Sequence, residues 1–316
     1  MKANMKYIMK YQHHPKQILL ALSVLVSSQF LLGNAYADLA DDAYQCNKAS
    51  QKGDFNHALS LSTTILQQDA DNLEGLLCKG RALNGVGKSE EAISTIKSAE
   101  KLSKSPLEHM VALTLIGNIQ KSEKNYSAAS TSYKQSLSIA ESNDNREFQR
   151  IDNNLLGEIS IESNQYQAGL DYYLKGHKFV ANDNERADNY QRLATTYNLL
   201  KQHDLAIENQ VKAVIMQKQS GTLDEYANSS LELGRIYMAA NDYLNAEKTF
   251  NKLIQFSQEH GGAYYEAKAT FYAGLAKSAS GDHSSAKTLF TDASKIAKQV
   301  GDVELIKAID DAIIIN

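Results

Sequence analysis

The chain has 316 residues, is 43% hydrophobic and 22% charged, and holds only Pro15 and Pro106 as prolines, which suits a mostly helical protein because proline breaks helix interiors. Its formal charge of −4 is unevenly spread. Residues 1–37 carry Lys2, Lys6, Lys10 and Lys16 and no acid, leaving 29 basic (33 less 4) against 37 acidic residues, a net of −8. A body that acidic counts against nucleic-acid binding, which needs a basic face to neutralise phosphate.

Residues 1–37 read as a signal peptide. A lysine-bearing start leads into an apolar stretch from Ile18 to Val26, extending to Leu32, and Ala35-Tyr36-Ala37 forms an A-x-A cleavage pattern before Asp38. Ser27, Ser28 and Gln29 interrupt the stretch and make it a weak membrane span. The alternative is an uncleaved N-terminal anchor, with Met5 or Met9 as the true start. No cysteine follows the apolar stretch closely, so a lipoprotein is not indicated. The expected protein is exported, to the periplasm or beyond it. Two cysteines remain, Cys46 and Cys78. In an oxidising compartment they either form a disulfide or stand as two buried small hydrophobes.

From residue 38 onward one turn phrase returns seven times, beginning with Gly-Asp-Phe-Asn-His-Ala-Leu at 53–59. The small residue near the end of each phrase is Ala58, Ala92, Ala129, Gly169, Ala206, Ala246 and Ala286, at spacings of 34, 37, 40, 37, 40 and 40. A period in that range marks a helical solenoid. Each repeat reads as two helices joined by a tight turn. In the second, Leu76–Leu83 leads to the turn and Glu90–Lys101 forms the second helix, with Ala92, Ile96 and Ala99 on one stripe. Gly221, Gly261 and Gly301, with Asn143 and Asn182, suit left-handed helix ends. Residues 301–316 read as a last, capping helix. Its apolar Ile313–Ile315 either packs or docks on a partner, and packing is the preferred reading.

The pattern resembles the tetratricopeptide repeat family. Its marks are Leu233, Gly234, Tyr237, Tyr243, Ala246 and Phe250 in the sixth repeat, Gly117, Tyr126, Ala129 and Tyr133 in the third, and Gly274, Ala286, Phe290 and Ala293 in the seventh. The resemblance covers about residues 40–300. It implies an all-α, right-handed superhelical solenoid of about seven repeats over 38–300, followed by the capping helix. Three departures stand out: Gly169 replaces the alanine of repeat four, and His203 and His283 replace the turn aromatic.

The resemblance also implies that the inner face of the first helices lines a concave groove. Read in phase, that stripe offers Asn47, Arg81, Asn84, Asn118, Lys121, Asn154, Asn198, Asn228 and Arg235 as candidate peptide- or protein-binding residues, with Glu158, Gln191 and Thr195 beside them. An asparagine both donates and accepts, so it can pair with a peptide backbone of any sequence. The alternative is a hydrophilic face without a ligand. Ala43 and Thr114 stand where a carboxylate-clamping lysine of the family would be, which counts against that kind of tail binding. Leu231, Met238, Phe271 and Leu275 make the late part of the face apolar, which would suit an amphipathic helix or a partner domain.

No phosphate-binding loop, nucleophile elbow, zinc-protease motif or Cys-x-x-Cys is present, and the histidines are scattered. No catalytic residue, metal site or cofactor is expected. The expected function is a non-catalytic scaffold or adaptor of the bacterial cell envelope that binds a protein or peptide. The alternative is a soluble periplasmic sensory subunit that signals through a separate membrane kinase or cyclase.

Overall fold

The computed structural model describes residues 35–315, so the expected signal peptide, up to Asn34, lies outside the described residues. All regular structure among them is helical, and the helices fall into two compact units, divided along the chain between Glu123 and Lys124. In chain order they make seven pairs and a final single helix.

The first unit contains α1 (Ala35–Gln51), α2 (Phe55–Gln68), α3 (Leu73–Gly85), α4 (Ser89–Leu102) and α5 (Pro106–Ser122). Consecutive helices pack on one another, and α1 also meets α3. Pro106 opens α5, where its missing N–H costs nothing. Ser105 and Glu108 complete a capping box around it. The core is aliphatic: Leu77, Ala92, Ile96, Ala112, Ile116 and Ile119 form one cluster, and Ala43, Cys46, Ala58, Ile65, Cys78 and Ala82 another. Within the latter, Cys46 of α1 and Cys78 of α3 are joined by a disulfide, their Cα atoms 6.2 Å apart.

The second unit contains α6 (Tyr126–Ser142), α7 (Arg146–Glu162), α8 (Tyr166–His177), α9 (Asp183–Leu199), α10 (His203–Ser220), α11 (Leu223–Ala239), α12 (Tyr243–His260), α13 (Ala263–Ala279), α14 (His283–Val300) and α15 (Val303–Ile315). Here aromatics fill the space between helices. The residue four after the in-phase small one is Tyr133, Tyr173, Phe250 or Phe290, all buried. Each of the last three lies against a glycine of the preceding first helix. A Cβ on Gly157 would come within 2.5 Å of the Tyr173 ring, and one on Gly234 within 2.2 Å of Phe250. Gly274 stands likewise against Phe290. Repeat five breaks the rule with Gln210, which donates to the Ser229 carbonyl at 2.8 Å. The Gly169 departure also has a cause: a Cβ there would meet the Ile161 side chain at 2.5 Å.

The turns inside the repeats keep phase too. The residue five before the small one is left-handed in every repeat, at Gly53, Gly87, Lys124, Asn164, Lys201, Asn241 and Gly281. Lysine is costly there because its Cβ crowds the following carbonyl. Lys201→Gly is therefore expected to stabilise the second unit by about 0.5–1 kcal/mol, read as a higher urea midpoint. A lower midpoint would mean that the lysine side chain contributes more than its backbone costs.

Between repeats the left-handed ends differ in part from the sequence expectation. Gly261 and Gly301 adopt them, at φ 79° and 76°. Gly221 does not, at φ −85°, because the chain runs straight into the capping box of Thr222 and Glu225. The left-handed residue after α6 is Asp144 rather than Asn143. Asn182 is an N-cap instead, its side chain accepting from the Glu185 N–H at 2.9 Å. At the end of the chain Leu305, Ile309 and Ala312 of α15 are buried, while Ile313 and Ile314 are exposed.

Candidate functional site

The first helices of the pairs carry rows of residues at fixed distance from the in-phase small residue, and burial sorts the rows. Twelve residues before it stand Cys46, Gly80, Gly117, Gly157, Ala194, Gly234 and Gly274, all buried. Fifteen before it, every residue but Gln191 is buried. The row eleven before is never closed. It reads Asn47, Arg81 and Asn118 in the first unit and Glu158, Thr195, Arg235 and Leu275 in the second. The row eight before is also part-open, with Ser50, Asn84 and Lys121, then Ile161, Asn198, Met238 and Ser278. Positions three residues apart share a helix face, so these two rows make one accessible strip in each unit.

Within the first unit the strip is wholly polar. Arg81 donates from Nη1 to Asn47 Oδ1 at 2.7 Å, joining α3 to α1. Burial pushes the Arg81 guanidinium pKa down, and Glu74 opposes that shift. Asn84 Oδ1 accepts from the Ser89 hydroxyl at 3.4 Å, and that hydroxyl also reaches Glu123 at 2.6 Å. Asn118 and Lys121 sit half-buried on α5.

In the second unit the candidates divide. Asn154 lies in the row fifteen before the small residue and is only 8% exposed. It accepts from Asn189 Nδ2 at 3.5 Å, and Gly176 of α8 closes over it. It is an interior amide, a correction to its expected place in a groove, because the helix face at that level is covered by neighbouring helices. Asn189 is fully buried; its Oδ1 accepts from His177 Nδ1 at 2.8 Å, and its Nδ2 donates to the Tyr173 carbonyl at 3.2 Å. Asn198 turns to His203 Nδ1 at 2.9 Å. Asn228 is exposed and donates to the Tyr265 hydroxyl at 2.8 Å. Arg235 pairs with Glu232 at 2.5 Å and lies over the Tyr272 ring at 5.6 Å. Leu231 and Phe271 are buried in the core clusters, with Met238 and Leu275 packed against them. The apolar end expected of the face is thus largely self-covered.

Several of these contacts link one first helix to the next: Asn47 to Arg81, Asn154 to Asn189, Arg150 to Glu185 at 3.1 Å, and Asn228 to Tyr265. Much of the polar stripe therefore holds repeats together. Sequence reasoning missed Asn189 and Gln210, which are buried polar residues of the second unit, and the half-buried Arg192. The signal was available in Gln210, which occupies the aromatic position of its repeat.

Arg192 illustrates the electrostatics. Burial opposes its charge, but Asp188 at 2.9 Å, Tyr173 and Glu158 outweigh that and hold its pKa above the ordinary arginine value. Burial pushes the Tyr173 phenol up to about 12, with Arg192 pulling the other way. Burial also pushes Tyr133 up, reinforced by Glu158, Asp152 and Glu162. A raised folded-state pKa gives stability that is complete below the unfolded phenol's pKa near 10 and is lost as pH rises through the folded one. Unfolding curves should show the second unit losing about 2–3 kcal/mol from Tyr173 alone between pH 10 and 12. Tyr173→Phe should shrink the alkaline loss by that amount. An unchanged pH profile would mean the phenol is not held neutral.

Among the described residues no group of three or more His, Cys, Asp or Glu side chains could hold a metal ion. No helix among them is long and apolar enough to cross a membrane. The described architecture is an all-helical scaffold.

The tetratricopeptide repeat family matches at residues 111–143 and 227–260. No curated protein matches the sequence. Among solved structures, the chain is similar to RapI in its apo form, with a TM-score of 0.69 and 13% identity over 86% of this chain and 79% of that one. It is similar to a signal-transduction ATPase with a tetratricopeptide repeat sensor from Pyrococcus horikoshii, with a TM-score of 0.65 and 15% identity over 89% of this chain and 47% of that one. It is similar also to the C-terminal part of a TPR repeat-containing protein from Cytophaga hutchinsonii, with a TM-score of 0.61 and 13% identity over 80% of this chain and 95% of that one. Two stretches of the chain thus match that family, and they lie in an all-α solenoid of about seven paired-helix repeats like the family's, followed by a terminal helix.

Proposed function

We propose that this chain is an exported, non-catalytic scaffold or adaptor of the bacterial cell envelope that holds a protein or peptide on the open strip of its first helices. The observation that carries the reading is the row eleven residues before the small one, which stays accessible in all seven repeats while the row twelve before is buried in every one. In the first unit that strip offers amides and cations, Asn47, Arg81, Asn84, Asn118 and Lys121, suited to a peptide backbone or acidic side chains. The disulfide between Cys46 and Cys78 supports an oxidising compartment, in line with the leader at residues 1–37.

The test is capture of an envelope partner by Asn118→Ala/Lys121→Ala beside the parent protein. Loss of a specific partner, with the thermal midpoint held, supports the strip; undiminished capture removes it. Mass spectrometry of the exported protein should find Asp38 as the first residue, and a retained leader would contradict cleavage after Ala37.

A second reading is a soluble sensory subunit that signals through a separate membrane kinase or cyclase. It is favoured by the likeness to a protein whose repeats are described as a sensor. A thermal shift with small peptides or envelope metabolites, without a stable protein partner, would select it.

A further inference from the structure

Helix α15 buries one face and leaves the opposite face open. Leu305, Ile309 and Ala312 pack into a cluster with residues of α13 and α14. The other side presents Val303, Lys307, Asp310 and Ile314, at steps of four, three and four that keep them in one narrow stripe. Val303 is 75% and Ile314 82% exposed, whereas the outward side of an end repeat is ordinarily polar.

Along the helix the stripe reads apolar, basic, acidic, apolar. Turned end for end it reads apolar, acidic, basic, apolar, which is its own complement. We propose that α15 is a self-association helix, docking antiparallel on α15 of a second copy about a two-fold axis between Ala308 and Ile309. Val303 then lies opposite the second copy's Ile314, and Lys307 opposite its Asp310, each contact occurring twice as a two-fold interface requires. Lys307 and Asp310 are exposed, and among the described residues neither is in an ion pair, so no existing bond is broken. Glu304 and Asp311 flank the stripe on one side and Ile306 and Ile313 on the other. Two copies meeting on the acidic flank would repel, so the contact leans towards Ile313. The surface is distinct from the strip on the first helices and does not depend on it.

A helix of this length, about 20 Å, offers less than the roughly 1,200–2,000 Å² buried in stable interfaces. The dimer is therefore weak and concentration-dependent. Sedimentation velocity of the mature chain from about 5 to about 500 µM should show a monomer passing to a dimer with a micromolar dissociation constant. Ile314→Asp should leave only monomer over the same range. Lys307→Glu and Asp310→Lys should each raise the dissociation constant about tenfold, and the double reversal should restore it to within about twofold. All three positions are exposed, so circular dichroism should be unchanged. A parent chain that stays monomeric at every concentration, or a double reversal no better than the singles, would overturn the proposal.

Discussion

Replacing Phe250 with alanine is expected to lower the stability of the second unit by about 3–5 kcal/mol. Phe250 is fully buried among Ala227, Leu231, Ala246, Leu253, Ala269 and Ala273, and its ring stacks on Tyr272 at 5.7 Å. The ring lies against Gly234, which has no side chain to fill the void that its removal leaves. Leu244→Ala on the same helix, at an exposed position, should change stability by less than about 0.5 kcal/mol. The reverse insult uses the same contact. Gly234→Ala should destabilise by about 1–3 kcal/mol although alanine is the better helix former. Phe250→Leu should relieve part of that loss by withdrawing the ring. Urea unfolding followed by circular dichroism reads all four variants. A Phe250→Ala cost near that of Leu244→Ala would show that the aromatic does not bind the helices together.

The second large effect belongs to the first unit. The disulfide between Cys46 and Cys78 closes a loop over a sequence separation of 32, and restricting an unfolded loop of that length is worth about 3–4 kcal/mol in the chain-entropy view. Reduction, or Cys46→Ser with Cys78→Ser, should speed hydrogen exchange of amides in α1–α4. Amides in α11–α14 should be unaffected, because repeat proteins couple chiefly to their neighbours. The first unit has more need of the bond, since its core is aliphatic, with Ser62 and Ile96 where the second unit has Tyr133, Tyr173, Phe250 and Phe290. Equal protection of α1–α4 with and without reductant would mean that packing alone holds the first two repeats.

Residues that act through packing between the two helices of a repeat were legible in the sequence. Ala246 and Phe250 kept their spacing because a fixed interhelical distance demands it, and Pro106 announced the start of α5. The polar residues were less legible, for a geometric reason. Asn154 and Glu158 are one helical turn apart and share a face by periodicity, yet Asn154 is buried and Glu158 is half-open. Only the approach of α8 at Gly176 and of α9 at Asn189 distinguishes them. The turns raised a similar difficulty. Lys124 and Lys201 occupy left-handed positions that glycine fills at Gly87 and Gly281, so phase identifies them where residue type does not. Gly221 shows the converse, since a neighbouring capping box settled its conformation.

The central claim is that partners bind the open strip of the first helices. The most direct measurement is photo-crosslinking in the envelope from single positions. Probes at Asn118 and Thr195, on the strip, should each give a discrete adduct with a protein or peptide. Probes at Thr131 and Lys252, on second helices, should give none. Adducts from Thr131 or Lys252 in place of Asn118 and Thr195 would contradict the account.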